Sequence, residues 1–349
     1  MTAGTVLFAW RRIPPPFLIG GAEVSQQLLA EEFTASGWDT HYLASHEPPW
    51  STTSDLPAML QHLAAARIPF EHRYRAGELR YTCNGVAVRA VPQERLAGVL
   101  DGMLDDLAPD LVVTSMEGAA DLAAAARSRA VVAGWLHSVS ATSVGVLGGD
   151  PHYALATSRF VLERTPPSQT AVLFYPPFRP APMEGAAGGG DLLMVNPVPA
   201  KGAELMHRLA ELLPDRRFTL VEGWWDTSAE FARHPNVTYV PRTYDMGALY
   251  RRHRLLLVPS TVDDAFPRVI VEAALAGLPA AGSTRGGIPE AITDPDLLAP
   301  PGDHTAWTAL IRSLTPALLD EAAAAAYRRA VPMARACLPE LAAAGVIPT

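Results

Sequence analysis

Two consecutive α/β domains built on parallel sheets, Rossmann-like and facing each other across a cleft, are what the sequence predicts. Three observations predict them. Short apolar runs alternate with longer Ala/Leu-rich stretches of helical period. That alternation runs through the first half, meets a stretch rich in proline and glycine at 175–191, and then starts again. The length of 349 residues also suits two domains of roughly 150 residues each.

Taken in order, residues 5–10 read as the first strand, 11–21 as a loop and 22–36 as a helix that Gly37 ends. Further strands follow at 40–44, 111–114, 131–137 and 172–174. The first domain is therefore placed at 1–178. In the second, at 179–325, strands are expected at 192–195, 218–222, 237–240 and 255–258. A helix is expected at 203–213, and another at 267–276 that Gly277 and Pro279 stop. A last helix at about 325–349 is expected to pack back on the first domain. Two such units with a hinge between them put a ligand site at the carboxyl ends of their strands.

Composition narrows the function. With 28 basic and 36 acidic residues the net charge is −8, against the basic face that nucleic acid demands. An apolar content of 49% with 18% charged residues excludes a disordered chain. Two cysteines, Cys83 and Cys337, make neither a disulfide framework nor a four-ligand zinc site. The apolar run 6–10 is far too short to span a membrane, and no basic segment precedes it as in a secretory signal. A cytoplasmic location is expected, with membrane contact at most peripheral. Of the 28 basic residues one is lysine, Lys201, and 27 are arginine. In a chain so emptied of lysine, the survivor is expected where a compact ammonium does what a planar guanidinium cannot.

The stretch 255–290 carries the most chemistry: LLLVPS, then DAFPRVIVEAALAGLP, then STRGGIPE. Pro267 is expected at the first helical position, where a missing N–H costs little. The helix beyond it is almost wholly apolar and carries a single carboxylate, Glu272, which once buried needs a partner. Asp264 lies eight residues earlier. At most ~12 Å of helix separates the two acids, so they address different parts of one long polar ligand. The helix N-terminus between them, near Phe266, suits an anion.

This pattern (acid-x-F-x5-E-A, G-x-P, then GG-I-P-E) resembles the signature of glycosyltransferase family 4, retaining enzymes of the GT-B fold. The resemblance implies that Asp264 holds the donor sugar's hydroxyls and Glu272 the ribose. The family usually has Glu at the first acid and Gly where this chain has Pro267. In the segment MVNPVPAKG, Lys201 stands at the lysine that grips the donor diphosphate, whereas Asn196 replaces an arginine. Arg285, Arg268 and Arg242 are the candidates to supply that missing charge. Gly20-Gly21-Ala22-Glu23 resembles the family's GG-x-E loop, where the backbone approaches the phosphates and the acceptor. His137, in GWLHSVS, stands where members place a histidine near the reacting carbon. Arg242, with Thr243 and Met246, matches the cradle of the base. Trp224 and Trp225, Glu290 and Ser158 are secondary candidates, the last two with structural roles.

The resemblance thus implies a retaining, metal-independent transfer from a UDP- or GDP-sugar to a small-molecule or glycan acceptor, by front-face displacement and without a cofactor. A nucleotide-sugar epimerase or hydrolase on the same fold, and a non-catalytic nucleotide-sugar-binding protein, are the alternatives. The lysine-poor composition suits bacterial specialised metabolism or envelope assembly. Asp294-Pro295-Asp296 has a metal–diphosphate spacing but sits in a turn after GG-I-P-E. The basic residues Arg67, Arg73, Arg75 and Arg80 are expected as solvated loop charges. No G-x-G-x-x-G follows a strand, and no G-x-S-x-G, H-E-x-x-H or Walker A motif occurs.

Overall fold

The computed structural model describes residues 3–17, 20–50, 54–180, 192–223, 225–243 and 245–348. Trp224 and the linker stretch 181–191 lie outside the described residues. The chain divides into two compact units, Met1–Pro177 with Ala336–Thr349, and Phe178–Arg335.

The first unit carries a nine-stranded sheet among the described residues. Its strands are β1 (Thr5–Ala9), β2 (Asp39–Ser45), β3 (Phe70–Arg73), β4 (Glu78–Cys83), β5 (Val86–Val91), β6 (Leu111–Thr114), β7 (Val131–Leu136), β8 (Tyr153–Ala156) and β9 (Ala171–Leu173). The order is β3-β4-β5-β2-β1-β6-β7-β8-β9. From β5 to β9 the pairing is parallel, and β3 and β4 add an antiparallel edge. Strand β1 lies at the centre, with Val6 to Ala9 wholly buried, as a parallel strand covered on both faces must be. The helix Gly21–Ala35 seats Leu29, Ala30 and Phe33 in the same core, where Phe8 stacks on Tyr42 at 5.8 Å.

The C-terminal segment completes this core. Cys337, Leu338, Leu341, Val346 and Ile347 join the cluster around β1. Glu32 Oε1 accepts from the N–H groups of Cys337 and Leu338 (2.5 and 3.0 Å), and Tyr153 donates to the Gly345 carbonyl at 2.9 Å. The helix Pro316–Ala330 stays in the second unit, packed on Arg268–Leu275. The chain therefore changes units between 335 and 336, not at the residue 325 drawn from sequence, which falls inside a helix.

The second unit has strands β10 (Leu192–Val195), β11 (Phe218–Val221), β12 (Val237–Val240), β13 (Leu255–Val258), β14 (Ala280–Ser283) and β15 (Leu298–Ala299). All pairs are parallel, in the order β12-β11-β10-β13-β14-β15. This is the doubly wound order, and it reverses between β10 and β13. Alternation along β13 shows the two covered faces. Leu255 and Leu257 pack with Trp307 and the helix Ala203–Leu212, while Leu256 and Val258 pack with Ile270 and Ala273 of the helix Arg268–Leu275. Among the described residues no helix is long and apolar enough to cross a membrane.

Candidate functional site

In a doubly wound sheet the loops leaving the two strands at the reversal diverge and leave a crevice at their carboxyl ends. In the second unit these loops follow β10 and β13. The first carries Lys201, the last residue of a tight turn, Pro199–Lys201. The second carries Asp264. Gly202 follows with φ +96°, and a Cβ there would strike the Pro259 carbonyl, so only glycine lets the two loops touch. Thr261 N–H donates to the Ala200 carbonyl at 3.1 Å across the same seam. The loop after β14 closes from the other side. Gly286 (φ +57°) lies where a side chain would meet the Asp264 backbone, and Gly287 N–H donates to the Asp264 carbonyl at 2.6 Å.

This scaffold brings Lys201 and Asp264 together. Lys201 Nζ pairs with Asp264 Oδ1, and Ser260 Oγ donates to Asp264 Oδ2 at 2.5 Å. Lys201 remains 32% exposed and Asp264 14%, so the cation sits at the rim and the acid deeper. Ser260 is buried, and Ser283 Oγ donates to its carbonyl at 2.7 Å. Ser260 lay in the quoted LLLVPS run, but sequence reasoning assigned it no role, because a serine after a strand has many uses.

The helix behind differs from its sequence reading in two respects. Pro267 is the N-cap, with extended backbone at φ −72° and ψ 103°, and the helix begins at Arg268. Nor is the helix apolar all round. Arg268, with 7% of its side chain exposed, lies one turn before Glu272 and donates from Nε to Oε1 at 3.0 Å. Its guanidinium rests 4.5 Å from the Phe178 ring centre, and Phe178 lies 6.5 Å from Phe266. Tyr250 OH donates to Glu272 Oε2 at 3.4 Å. Burial pushes the Tyr250 phenol well up, and the neighbouring Glu272 charge adds to that. Glu272 is therefore a held carboxylate, 30% exposed, and not a fully buried one.

On the other side of β10, Asn196 adopts φ +59°, a conformation asparagine tolerates, and donates its N–H to the Val221 carbonyl at 2.9 Å. Its side chain fills the space a Cβ on Gly223 would need. Arg242 Nη2 donates to the Gly223 carbonyl, and its N–H donates to Glu222 Oε2 at 3.1 Å. Of the three candidate arginines, Arg242 thus reaches the residue against which Asn196 packs. Arg268 is on Glu272, and Arg285 lies 3.9 Å from Asp263. Thr243 accepts from Asp245 N–H, and Met246 opens the helix Met246–Arg252. Trp225 is 64% exposed.

The remaining sequence candidates belong to the first unit. Gly20 caps the helix Gly21–Ala35, and Glu23 accepts the Gly20 N–H at 3.1 Å. Glu23 also takes Arg12 Nη1 at 2.9 Å, while Arg12 holds Glu117 through Nε and Nη2 at 2.7 and 2.8 Å. Sequence reasoning missed this triad, since its members are far apart in the chain. His137 follows β7. Its N–H donates to Ser143 Oγ at 2.9 Å, and its ring lies 4.7 Å from Trp135. Ser158 caps the helix Arg159–Leu162 through Val161 N–H. Of the four basic residues, Arg73 pairs with Glu71 and Arg80 with the buried Glu78. Asp294 accepts from Asp296 N–H and caps a turn. Glu290 lies in the short helix Ile288–Ile292. Among the described residues no group of three or more His, Cys, Asp or Glu side chains is placed to hold a metal ion.

The model of the family described as Glycosyl transferases group 1 matches residues 193–315, the body of the second unit. HepE of Anabaena, solved with UDP and glucose, is similar to this chain at 16% identity and TM-score 0.73, with 98% of each chain covered. Sucrose-phosphate synthase of Thermosynechococcus elongatus gives 16% identity, TM-score 0.71 and the same coverage. A glycosyltransferase of Rickettsia africae gives 13%, 0.70 and again 98% of each chain. No curated protein matches the chain. The fold is GT-B, with two Rossmann-like units. The family match over the second unit, taken with this fold, supports a glycosyltransferase.

Proposed function

We propose that this chain is a retaining glycosyltransferase that takes a hexose from a UDP- or GDP-sugar held by its second unit, and passes it to a small-molecule or glycan acceptor. The observation that carries this reading is the Lys201–Asp264 pair at the reversal of the doubly wound sheet. A sugar diphosphate offers each partner a better match than the other provides. The diphosphate takes the ammonium, and the sugar hydroxyls donate to the carboxylate. Charge grows on the diphosphate as the glycosidic bond breaks, and a positioned cation stabilises it there. Lys201 fills this role without a metal, with Arg242 beside Asn196 as the second cation.

Glu272, steadied by Arg268 and Tyr250, is assigned to the ribose. His137 is assigned to the reaction centre, and Gly20 and Gly21 to the close approach of backbone and phosphates. These three assignments rest on the family resemblance. In front-face displacement a diphosphate oxygen takes the acceptor proton as the acceptor oxygen attacks the same face, so no protein nucleophile is needed. That HepE was solved with UDP and glucose supports a uridine donor as the first to try.

The test is a thermal-shift panel of UDP, GDP, ADP and their sugars, followed by NMR of donor turnover. A bound nucleotide raises Tm by mass action. A shift with one nucleotide sugar, and a product of unchanged anomeric configuration, is expected. No shift with any of them, or an inverted product, overturns the proposal. Donor turned over without any acceptor would instead indicate an epimerase or hydrolase.

A further inference from the structure

Asp264 has two oxygens and two very different donors. Lys201 reaches Oδ1 on a flexible stem that is one-third exposed. Ser260 reaches Oδ2 from a buried position, 1% exposed, just past the end of β13, with its own carbonyl held by Ser283. The ammonium can leave into solvent with little rearrangement, whereas the hydroxyl is enclosed and its backbone is held by Ser283. Asp264 is also one methylene shorter than glutamate, so its carboxylate has fewer rotamers with which to find a ligand, and its aim is set by what holds it.

We propose that Ser260 is the positioning residue for donor-sugar recognition. It keeps Oδ2 when the diphosphate draws Lys201 away, and so leaves Oδ1 fixed and open to a sugar hydroxyl. The exchange is conservative in hydrogen bonds: Oδ1 trades an ammonium for a hydroxyl donor, and Lys201 trades a carboxylate for a phosphate oxygen. A nucleoside diphosphate without its sugar removes Lys201 but returns nothing to Oδ1. Free nucleotide therefore does not report on the aim of Asp264, whereas the sugar does. Ser260 therefore serves the sugar, and through the sugar the preference for intact donor over spent nucleotide. This role rests on the proposed function.

The probes are UDP-glucose with UDP, GDP-mannose with GDP, and ADP-glucose with ADP, titrated by calorimetry into the full chain. The variants are Ser260→Ala and Ser260→Cys. The second leaves no cavity in the buried site and replaces the hydroxyl by a slightly larger, weak donor. For the pair that wild type binds, both variants are expected to lower the affinity ratio of sugar nucleotide to free nucleotide about tenfold, the scale of one hydrogen bond to a charged group. Affinity for the free nucleotide is expected to fall less than affinity for the sugar nucleotide, since only the sugar reads the aim of Asp264. A purely structural serine would weaken both ligands together, and that result, or an unchanged ratio, overturns the role. Wild type that binds none of the six compounds removes the proposed function and this role with it. Wild type that binds normally beside an unaffected Ser260→Cys variant removes the role alone.

Discussion

The same topological position is used in opposite ways by the two units. In the first, the sheet order reverses between β1 and β6, and the loops there carry Arg12 and Glu117. In the second it reverses between β10 and β13, where the loops carry Lys201 and Asp264. Arg12 is 10% exposed and is held by two carboxylates, with Glu23 at 2%. Its planar fork engages both oxygens of Glu117. Lys201 is a point charge at a rim, paired with the Asp264 carboxylate and three times as exposed as Arg12. A buried bidentate arginine is expensive to disturb, whereas a rim lysine exchanges partners readily. The first crevice holds its charges in a buried network, and the second holds a pair at its rim.

Four substitutions or treatments sharpen this contrast. Lys201→Ala is expected to lower turnover roughly a hundred- to a thousandfold, as loss of a transition-state charge partner does. Its unfolding free energy should fall by less than about 1 kcal/mol. Steady-state rates beside urea denaturation check both. Arg12→Ala should behave the other way, costing about 3–5 kcal/mol in urea because Glu23 stays buried without its cation. Glu272→Gln is expected to weaken donor binding about tenfold in calorimetry, and to lower stability by about 1–3 kcal/mol because the nearly buried Arg268 loses its counter-charge. EDTA is expected to leave the rate as it was, since the proposed chemistry draws its positive charge from side chains.

Acid titration separates the units further. Burial works to raise the Glu117 carboxyl, but the Arg12 hydrogen bond and charge overcome it and hold the group below its ordinary value of 4.5. A carboxylate depressed in the folded state adds stability above its unfolded pKa and loses it as the pH falls through the folded one. Wild type should therefore lose this contribution as the pH drops below about 4.5. Arg12→Ala should show a shallower loss over the same window, and denaturant midpoints measured from pH 6 to 3 check it.

The legible parts of the fold were those that local pattern fixes. Strands β6, β10, β12 and β13 are short branched or leucine-rich runs bounded by breakers, and the sequence places them at their observed limits. Strand β14, AAGS, was not legible, since alanine and glycine have little strand preference and burial between β13 and β15 decides its conformation. The antiparallel edge β3-β4 carries charges such as Glu71, Arg73 and Arg80 and lacks the continuous apolar run of a central strand. The site divides likewise. Lys201 and Asp264 stood out by rarity and by motif, whereas the Arg268–Glu272 pair was missed although its one-turn spacing was a signal for it. The Arg12 triad joins residues distant in the chain, and no local pattern announces it; the return of the C-terminal segment was expected, but from about 325 where the chain changes units at 336.

The measurement that bears most directly on the Lys201–Asp264 site is a calorimetric titration of the preferred nucleotide sugar into wild type and Lys201→Ala. One donor per chain, bound by wild type and weakened at least about tenfold in the variant, is the expected result. Equal affinity in the two proteins would contradict the assignment of Lys201 to the diphosphate.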